Sequence, residues 1–193
     1  KNCFMSKIWN VKTPSPKLQI KLSDALGIHP IISQLLINRS IDDIEDANNF
    51  LNPDLESLHD PFLLKNMDKA VERIRLALRN KDRILIFGDY DVDGVTSSVI
   101  LNHTLTKLGL EVIHHIPHRM TDGYGLNHEI AEFAFQQRVN LLITIDCGIT
   151  AYDEVESIRN KGIDVIIIDH HEPSESRLPN AVAIIDPKQR NCP

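Results

Sequence analysis

From residue 83 to residue 185 the chain alternates short Ile/Leu/Val runs with segments whose apolar residues recur at helical spacing. The runs at 83–88, 141–145, 164–168 and 181–185 are short and almost continuously apolar, the pattern of strands buried on both faces, and 111–116 is a shorter apolar stretch interrupted by His114 and His115. The segments near 95–108, 127–138 and 152–161 are long enough to serve as crossover helices. Together they predict an α/β fold: a Rossmann-like parallel sheet with helices on both faces. In such sheets ligands gather outside the carboxyl ends of the strands. The residues just past each apolar run therefore matter most.

The first run opens directly into Asp89-Tyr90-Asp91-Val92-Asp93-Gly94. Three acids on alternate positions repel one another, and a folded chain keeps them together most readily around cations. A divalent metal site is the reading this favours. An EF-hand loop also begins with acids at its first, third and fifth positions, but its twelfth position carries a bidentate Glu. Here that position is Ile100, and the loop is entered from a strand. Capping of a helix that starts near Val95 accounts for one carboxylate and leaves two unexplained.

Two later runs end in the same way. LLITI ends at Asp146, which either caps the next helix or bridges two cations about 3.5 to 4 Å apart. DVIII ends at Asp169-His170-His171, where one imidazole can ligate a metal, the other can meet a phosphate oxygen, and Asp169 can fix a ring. His114-His115 reads as one packed and one exposed ring, and Cys147 as a small buried residue, since no base is identifiable for it. The loop 116–126 is shaped by a Pro and two Gly. It offers His118 and Arg119 as phosphate contacts and Tyr124 as a stacking face, or else is an ordinary turn before the next helix.

Residues 1–66 form a small helical region, with segments at 18–26 and 31–38, the latter opened by Pro30, and a third helix opened by Ser40 and stopping before Pro53. The α/β domain then occupies 67–193. Its first helix, built on Met67, Ala70, Val71, Ile74 and Leu78, places Lys69, Arg73 and Arg79 on solvated faces. Three scattered cysteines, no apolar run of the roughly 18 residues a membrane span needs, and no secretion signal predict a cytoplasmic protein. A net charge of -6 argues against a protein that coats duplex DNA. It leaves room for a single-strand groove with a local basic track.

The chain resembles the DHH phosphoesterase superfamily, named for the triplet at Asp169-His170-His171, and within it the RecJ-type single-strand-specific exonucleases of bacteria. The resemblance runs through FLNPDLESLHDPFLL, MDKAVERI, GDYDVDGVTSS, IPHRMTDGYGL, LLITIDCGI, VIIIDHHEP and LPNAVAIIDPK. It implies Asp91 and Asp93 as metal ligands, Asp146 as the bridging carboxylate and His170 as a further ligand. Many superfamily members carry a metal-binding His where this chain has Phe87, and Asp89 is expected to fill its role. His171 would contact the scissile phosphate, Asp169 would orient the imidazoles, and Arg119 would hold a substrate phosphate. The implied activity is removal of nucleotides from the 5′ end of single-stranded DNA in repair and recombination. Two Mn²⁺ or Mg²⁺ ions would serve it, with a single-strand-binding protein and a helicase as partners. The same family also contains enzymes for pyrophosphate, short oligonucleotides or cyclic dinucleotides, and a non-catalytic nucleic-acid-binding module is a third possibility. RecJ-type proteins carry a further metal-binding Asp and a second domain after the triplet. The chain stops at Pro193 before either, and is expected to be an N-terminal portion whose site is incomplete and either weakly metal-binding or inactive.

Overall fold

The computed structural model describes residues 12–118, 120, 123, 125–174 and 176–193, the side chain of His128 excepted. They form two compact units, one reaching to His59 and one starting at Asp60. The second unit begins ahead of its first long helix because Lys65 Nζ and Asn66 Nδ2 donate to the carbonyls of Arg190 and Ile184.

The first unit is three short helices around Leu22, Leu36 and Ala47. α1 (Pro16–Leu26) ends at Gly27, whose left-handed φ of 65° turns the chain, and α2 (Pro30–Asn38) starts on Pro30 with His29 Nδ1 accepting from Ile31 N. α3 (Ile44–Leu51) starts later than a Ser40 cap predicts. Ser40 instead sits at φ 63° in the turn that closes α2, and Asp43 is the cap, accepting from Glu45 N at 2.8 Å. Among the described residues no single helix is long and apolar enough to cross a membrane.

In the second unit α4 (Met67–Asn80), α5 (Val92–Lys107), α6 (His128–Gln136) and α7 (Tyr152–Asn160) surround a sheet of β1 (Arg83–Gly88), β2 (Glu111–His115), β3 (Leu141–Ile145), β4 (Asp164–Ile168) and β5 (Ala183–Ile185). All pairs are parallel, in the order β2-β1-β3-β4-β5. Strand side chains alternate between two cores. Ile84, Ile86, Leu141, Ile143 and Ile166 meet Ala70 and Ala77 of α4 and Leu105 of α5. Leu85, Phe87, Leu142, Val165 and Ile167 meet Ile130 and Ala134 of α6 and Val155 and Ile158 of α7. Helices thus cover both faces, as the continuous apolar strands predict.

Arg73 departs from its expected place on a solvated face. It is buried, donating to Asp164 at 2.6 Å, to Asp82 at 2.9 Å and to the Asn140 carbonyl, and so fastens α4 across the amino ends of β3 and β4. A long side chain with five N–H donors can satisfy three acceptors at once, which charge patterning along one helix does not reveal.

Candidate metal centre

The site begins with the register of the sheet. Beyond the last residue of β1, Asp89 N donates to the Ile145 carbonyl at 3.1 Å; beyond β3, Asp146 N donates to Ile168 at 2.9 Å; beyond β4, Asp169 N donates to Ile185 at 3.0 Å. Each terminal acid is held by the last carbonyl of the next strand, so residues distant in sequence share one rim. The chain leaves β1 for β2 on one side and returns to β3 on the other, which makes the β1/β3 boundary a topological switch point. Asp89 and Asp146 flank that boundary.

Helix α5 is pressed against the end of β1. A Cβ on Gly94 would lie 2.4 Å from the Asp89 carbonyl oxygen and 2.6 Å from its nitrogen, and one on Gly88 would lie 2.1 Å from Ser98 Oγ. Only glycines permit this approach. The helix starts at Val92, ahead of the expected 95, because Asp91 caps it: Asp91 Oδ1 accepts from Asp93 N at 2.9 Å and Gly94 N at 3.1 Å. Those two bonds hold the Asp91 carboxyl below its ordinary range.

Asp146 is the centre of the arrangement. It is 6% exposed, with a left-handed φ of 62°, a conformation that Asp tolerates better than most residues. Neither of its buried carboxylate oxygens receives an aligned hydrogen bond, although His170 Nε2 lies 2.9 Å from Oδ1. Asp89 Oδ1 is likewise buried and without a donor. Burial raises the Asp146 pKa, and the facing Asp91 carboxylate raises it further. Potential ligand atoms of Asp89, Asp91 and Asp146 lie within 4.8 Å of one another, and so do those of Asp146, His170 and His171. Asp146 belongs to both groups.

Asp169 organises the imidazoles from below. Its Oδ1 accepts from the backbone N–H of His170 at 2.7 Å and of His171 at 3.1 Å, and lies 2.7 Å from His171 Nδ1, while Oδ2 accepts from Ile149 N. The bond to Asp169 raises the His171 pKa.

The residues singled out from sequence divide clearly. Asp89, Asp91, Asp146, His170 and His171 come together, with Asp169 behind the two histidines. Asp93 lies in the first turn of α5 and belongs to neither close group; with Ser97, Asp146 and His170 it lines an adjoining cleft of about 250 Å³. His118 is exposed, and its Nδ1 accepts from Met120 N. Arg119 and Tyr124 lie outside the described residues. His115 stacks on Phe87 with ring centroids 5.5 Å apart, and His114 is exposed. Cys147 is fully buried, and burial together with the neighbouring carboxylates raises its pKa far above the thiolate range. One rim residue escaped the sequence reading: Asp186, fully buried, follows β5 as Asp89 follows β1. The signal was present in Ala183-Ile184-Ile185-Asp186, a further apolar run ending in an acid.

Residues 83–193 match the family described as DHH family, N-terminal domain. The chain belongs to the DHH family. This DHH chain is 40% identical over 184 residues to the single-stranded-DNA-specific exonuclease RecJ of Bacillus subtilis, an alignment covering 95% of this chain and 23% of that protein. It is 34% identical to the Haemophilus influenzae RecJ, covering 90% of this chain and 30% of the relative. Among solved structures it resembles RecJ in complex with Mn²⁺ from Thermus thermophilus, with TM-score 0.65 and 28% identity over 92% of this chain and 24% of that one. It also resembles an exonuclease RecJ bound to manganese, with TM-score 0.63 and 34% identity over 70% of this chain and 36% of that one. The DHH chain thus spans 23% to 30% of the length of these two curated relatives.

Proposed function

We propose that this chain carries the hydrolytic centre of a metal-dependent exonuclease that removes nucleotides from the 5′ end of single-stranded DNA during repair and recombination. The observation that carries the reading is Asp146, a buried carboxylate without an aligned donor that is shared by two ligand groups. The names of the relatives supply the substrate, and the strand polarity comes from the family resemblance.

The donor set fits Mn²⁺ or Mg²⁺. Carboxylate oxygens dominate, two of the carboxylates are buried without full hydrogen bonding, and imidazole supplies the remaining donors. In this reading Asp89, Asp91, Asp146 and His170 would hold the ions, with Asp146 common to both ligand groups and Asp93 contributing from the adjoining cleft. Ions held by these residues would supply an activated water for in-line attack on phosphorus and charge stabilisation at the leaving oxygen. Asp169 does not need to touch substrate. By accepting from the backbone of the triplet and engaging His171 Nδ1, it fixes the orientation of the His171 ring, which is assigned to the scissile phosphate. His118 and Arg119 are assigned to flanking phosphates and Tyr124 to a base, on the chemistry of their loop. A cytoplasmic setting, with a single-strand-binding protein and a helicase presenting the strand, belongs to the same reading.

The test is calorimetric titration of wild-type and Asp146→Asn protein with Mn²⁺, beside release of label from 5′-labelled single strands. Weaker Mn²⁺ binding by the variant than by the wild-type chain is expected. Unchanged Mn²⁺ affinity in the variant would overturn the assignment, and preferential cleavage of a dinucleotide over a long strand would move the protein to the small-substrate branch of the family.

A further inference from the structure

Beside the acid cleft lies a wider groove of about 660 Å³, within the usual size range of ligand pockets of about 300–1,000 Å³. Its walls are two rim loops. One begins at Glu172, directly after the triplet, and includes Ser174, Ser176 and Arg177; the other runs from Lys188 to Arg190, just beyond Asp186 at the end of β5. The groove therefore extends the rim outward from the triplet past the edge strand.

Its charge runs against that of the chain. The sequence has 27 acids and 21 Lys plus Arg, and the cleft next door is lined by carboxylates. Yet among the described residues the groove is lined by three cations, Arg177, Lys188 and Arg190, against one acid, Glu172, and Lys65 is bound to the Arg190 carbonyl at 2.9 Å. Arg177 and Lys188 have acidic neighbours, Asp153 at 3.4 Å and Glu172 at 3.6 Å, but all four side chains are at least half exposed. Such pairs contribute about 0 to 1 kcal/mol and exchange readily for a phosphate oxygen. Among the described residues, Arg190 and Lys65 have no acidic side chain in ion-pair contact.

The walls are preorganised. The Arg177 guanidinium lies 4.6 Å from the centroid of the Tyr152 ring. The second loop is pinned from inside: Lys188 N donates to Asp186 Oδ1 at 2.7 Å, and buried Gln189 donates through Nε2 to the Ile184 carbonyl at 2.7 Å. A polyanionic strand approaching a carboxylate rim needs fixed cations beside it, and here they stand on rigid supports.

We propose that the groove bounded by Arg177, Lys188 and Arg190 is a subsite for the sugar–phosphate backbone of the strand whose scissile phosphodiester lies at the acid cleft. The proposal rests on the nuclease reading above and adds to it the place where the strand runs beyond the metals. Serine hydroxyls at 174 and 176 supply neutral donors beside the cations.

The experiment is fluorescence anisotropy of a labelled oligothymidylate with the whole chain in EDTA, which prevents cleavage, over a salt series from about 50 to about 200 mM. Lys188→Gln/Arg190→Gln should weaken binding and reduce the slope of log K against log salt by about 1.4, since each single-strand phosphate contact contributes about 0.7. Arg75→Gln/Arg79→Gln makes the same change in net charge on the exposed face of α4 and should keep the wild-type slope. An unchanged slope in the groove variant, or an equal fall in the α4 variant, overturns the subsite while leaving the nuclease reading in place. Equal loss of affinity for inorganic pyrophosphate and for the oligonucleotide overturns it in favour of a small-anion site. Wild-type protein that does not bind the strand in EDTA also overturns the subsite, whereas the nuclease reading is overturned separately, by unchanged Mn²⁺ affinity in Asp146→Asn.

Discussion

Replacing Gly94 with Ala tests whether the junction of β1 and α5 sets the geometry of the metal centre. The new methyl would sit 2.4, 2.6 and 2.7 Å from the oxygen, nitrogen and carbon of Asp89, backbone atoms that cannot rotate away. Carbon contacts below 3.0 Å are essentially never found, so moving from 2.4 to 3.0 Å opens the junction by at least 0.6 Å. Overpacking of this kind costs about 1–3 kcal/mol. The same movement stretches the cap bonds from Asp93 N and Gly94 N to Asp91 Oδ1, now 2.9 and 3.1 Å, and loss of an N-cap costs about 1 kcal/mol more. The expected loss is about 2–4 kcal/mol in urea unfolding without metal. Because Asp89 and Asp91 move apart, Mn²⁺ affinity should also fall, by about 10–100-fold, as when the supports of metal ligands are removed. A variant within about 0.5 kcal/mol of wild type with unchanged Mn²⁺ affinity would refute the claim that close backbone approach positions the carboxylates.

Three other substitutions separate site from scaffold. Asp146→Asn removes a carboxyl whose pKa is raised in the fold, so the folded chain binds its proton more readily and wild-type stability falls as pH rises from 3.8 through the folded value. The variant should lose that slope and gain about 0.5–2 kcal/mol at neutral pH without metal, measured by urea midpoints; a less stable variant contradicts the reasoning. Asp169→Asn weakens the support for the triplet and should cost about 2–3 kcal/mol. It also lets the His171 pKa relax toward 6.5: the stability that His171 contributes below 6.5, lost as pH rises through its raised value, should shrink, and its imidazole NMR titration should move down. Arg73→Ala leaves Asp82 and Asp164 unpaired. It should cost about 3 kcal/mol, the low end for a buried pair because Asp164 is 39% exposed, with Mn²⁺ affinity unchanged because the break lies at the opposite ends of the strands.

The α/β class was legible because buried parallel strands leave continuous Ile/Leu/Val runs, and all five strands fall within the expected segments, three of them, at 83–88, 141–145 and 164–168, with the same bounds. Their terminal acids were legible for the same reason, since a polar residue ending such a run must lie at a strand end. Register was not. That Asp146 serves both ligand groups follows from hydrogen bonds between strands that no single run encodes. The β5 boundary lies at 183 and not at 181: Ala181 N is taken up by a local bond to the Pro179 carbonyl at 2.9 Å, and the regular ladder with β4 starts at Ala183. Arg73 was misplaced because its partners, Asp164 and the Asn140 carbonyl, are brought to it only by the folded sheet.

Asp186 shows what the strand-end rule adds when carried one strand further. It is fully buried, its Oδ1 accepts from Lys188 N, and its Oδ2 has no donor. Burial raises its pKa, Asp169 raises it further, and Lys188 and His170 oppose the shift. A carboxyl with a raised folded-state pKa makes stability fall as pH increases from 3.8 through that value. Asp186→Asn keeps an oxygen to accept from Lys188 N and removes the titration, so the variant's urea midpoint should vary less with pH while the Lys188 turn persists. Mn²⁺ affinity separates two roles for the residue. If Asp186 only closes the end of β5, affinity stays within about threefold of wild type, a difference below about 0.7 kcal/mol. A tenfold or larger loss would make its negative charge part of the field that holds the cations, and the centre would then draw on the ends of β1, β3, β4 and β5 together.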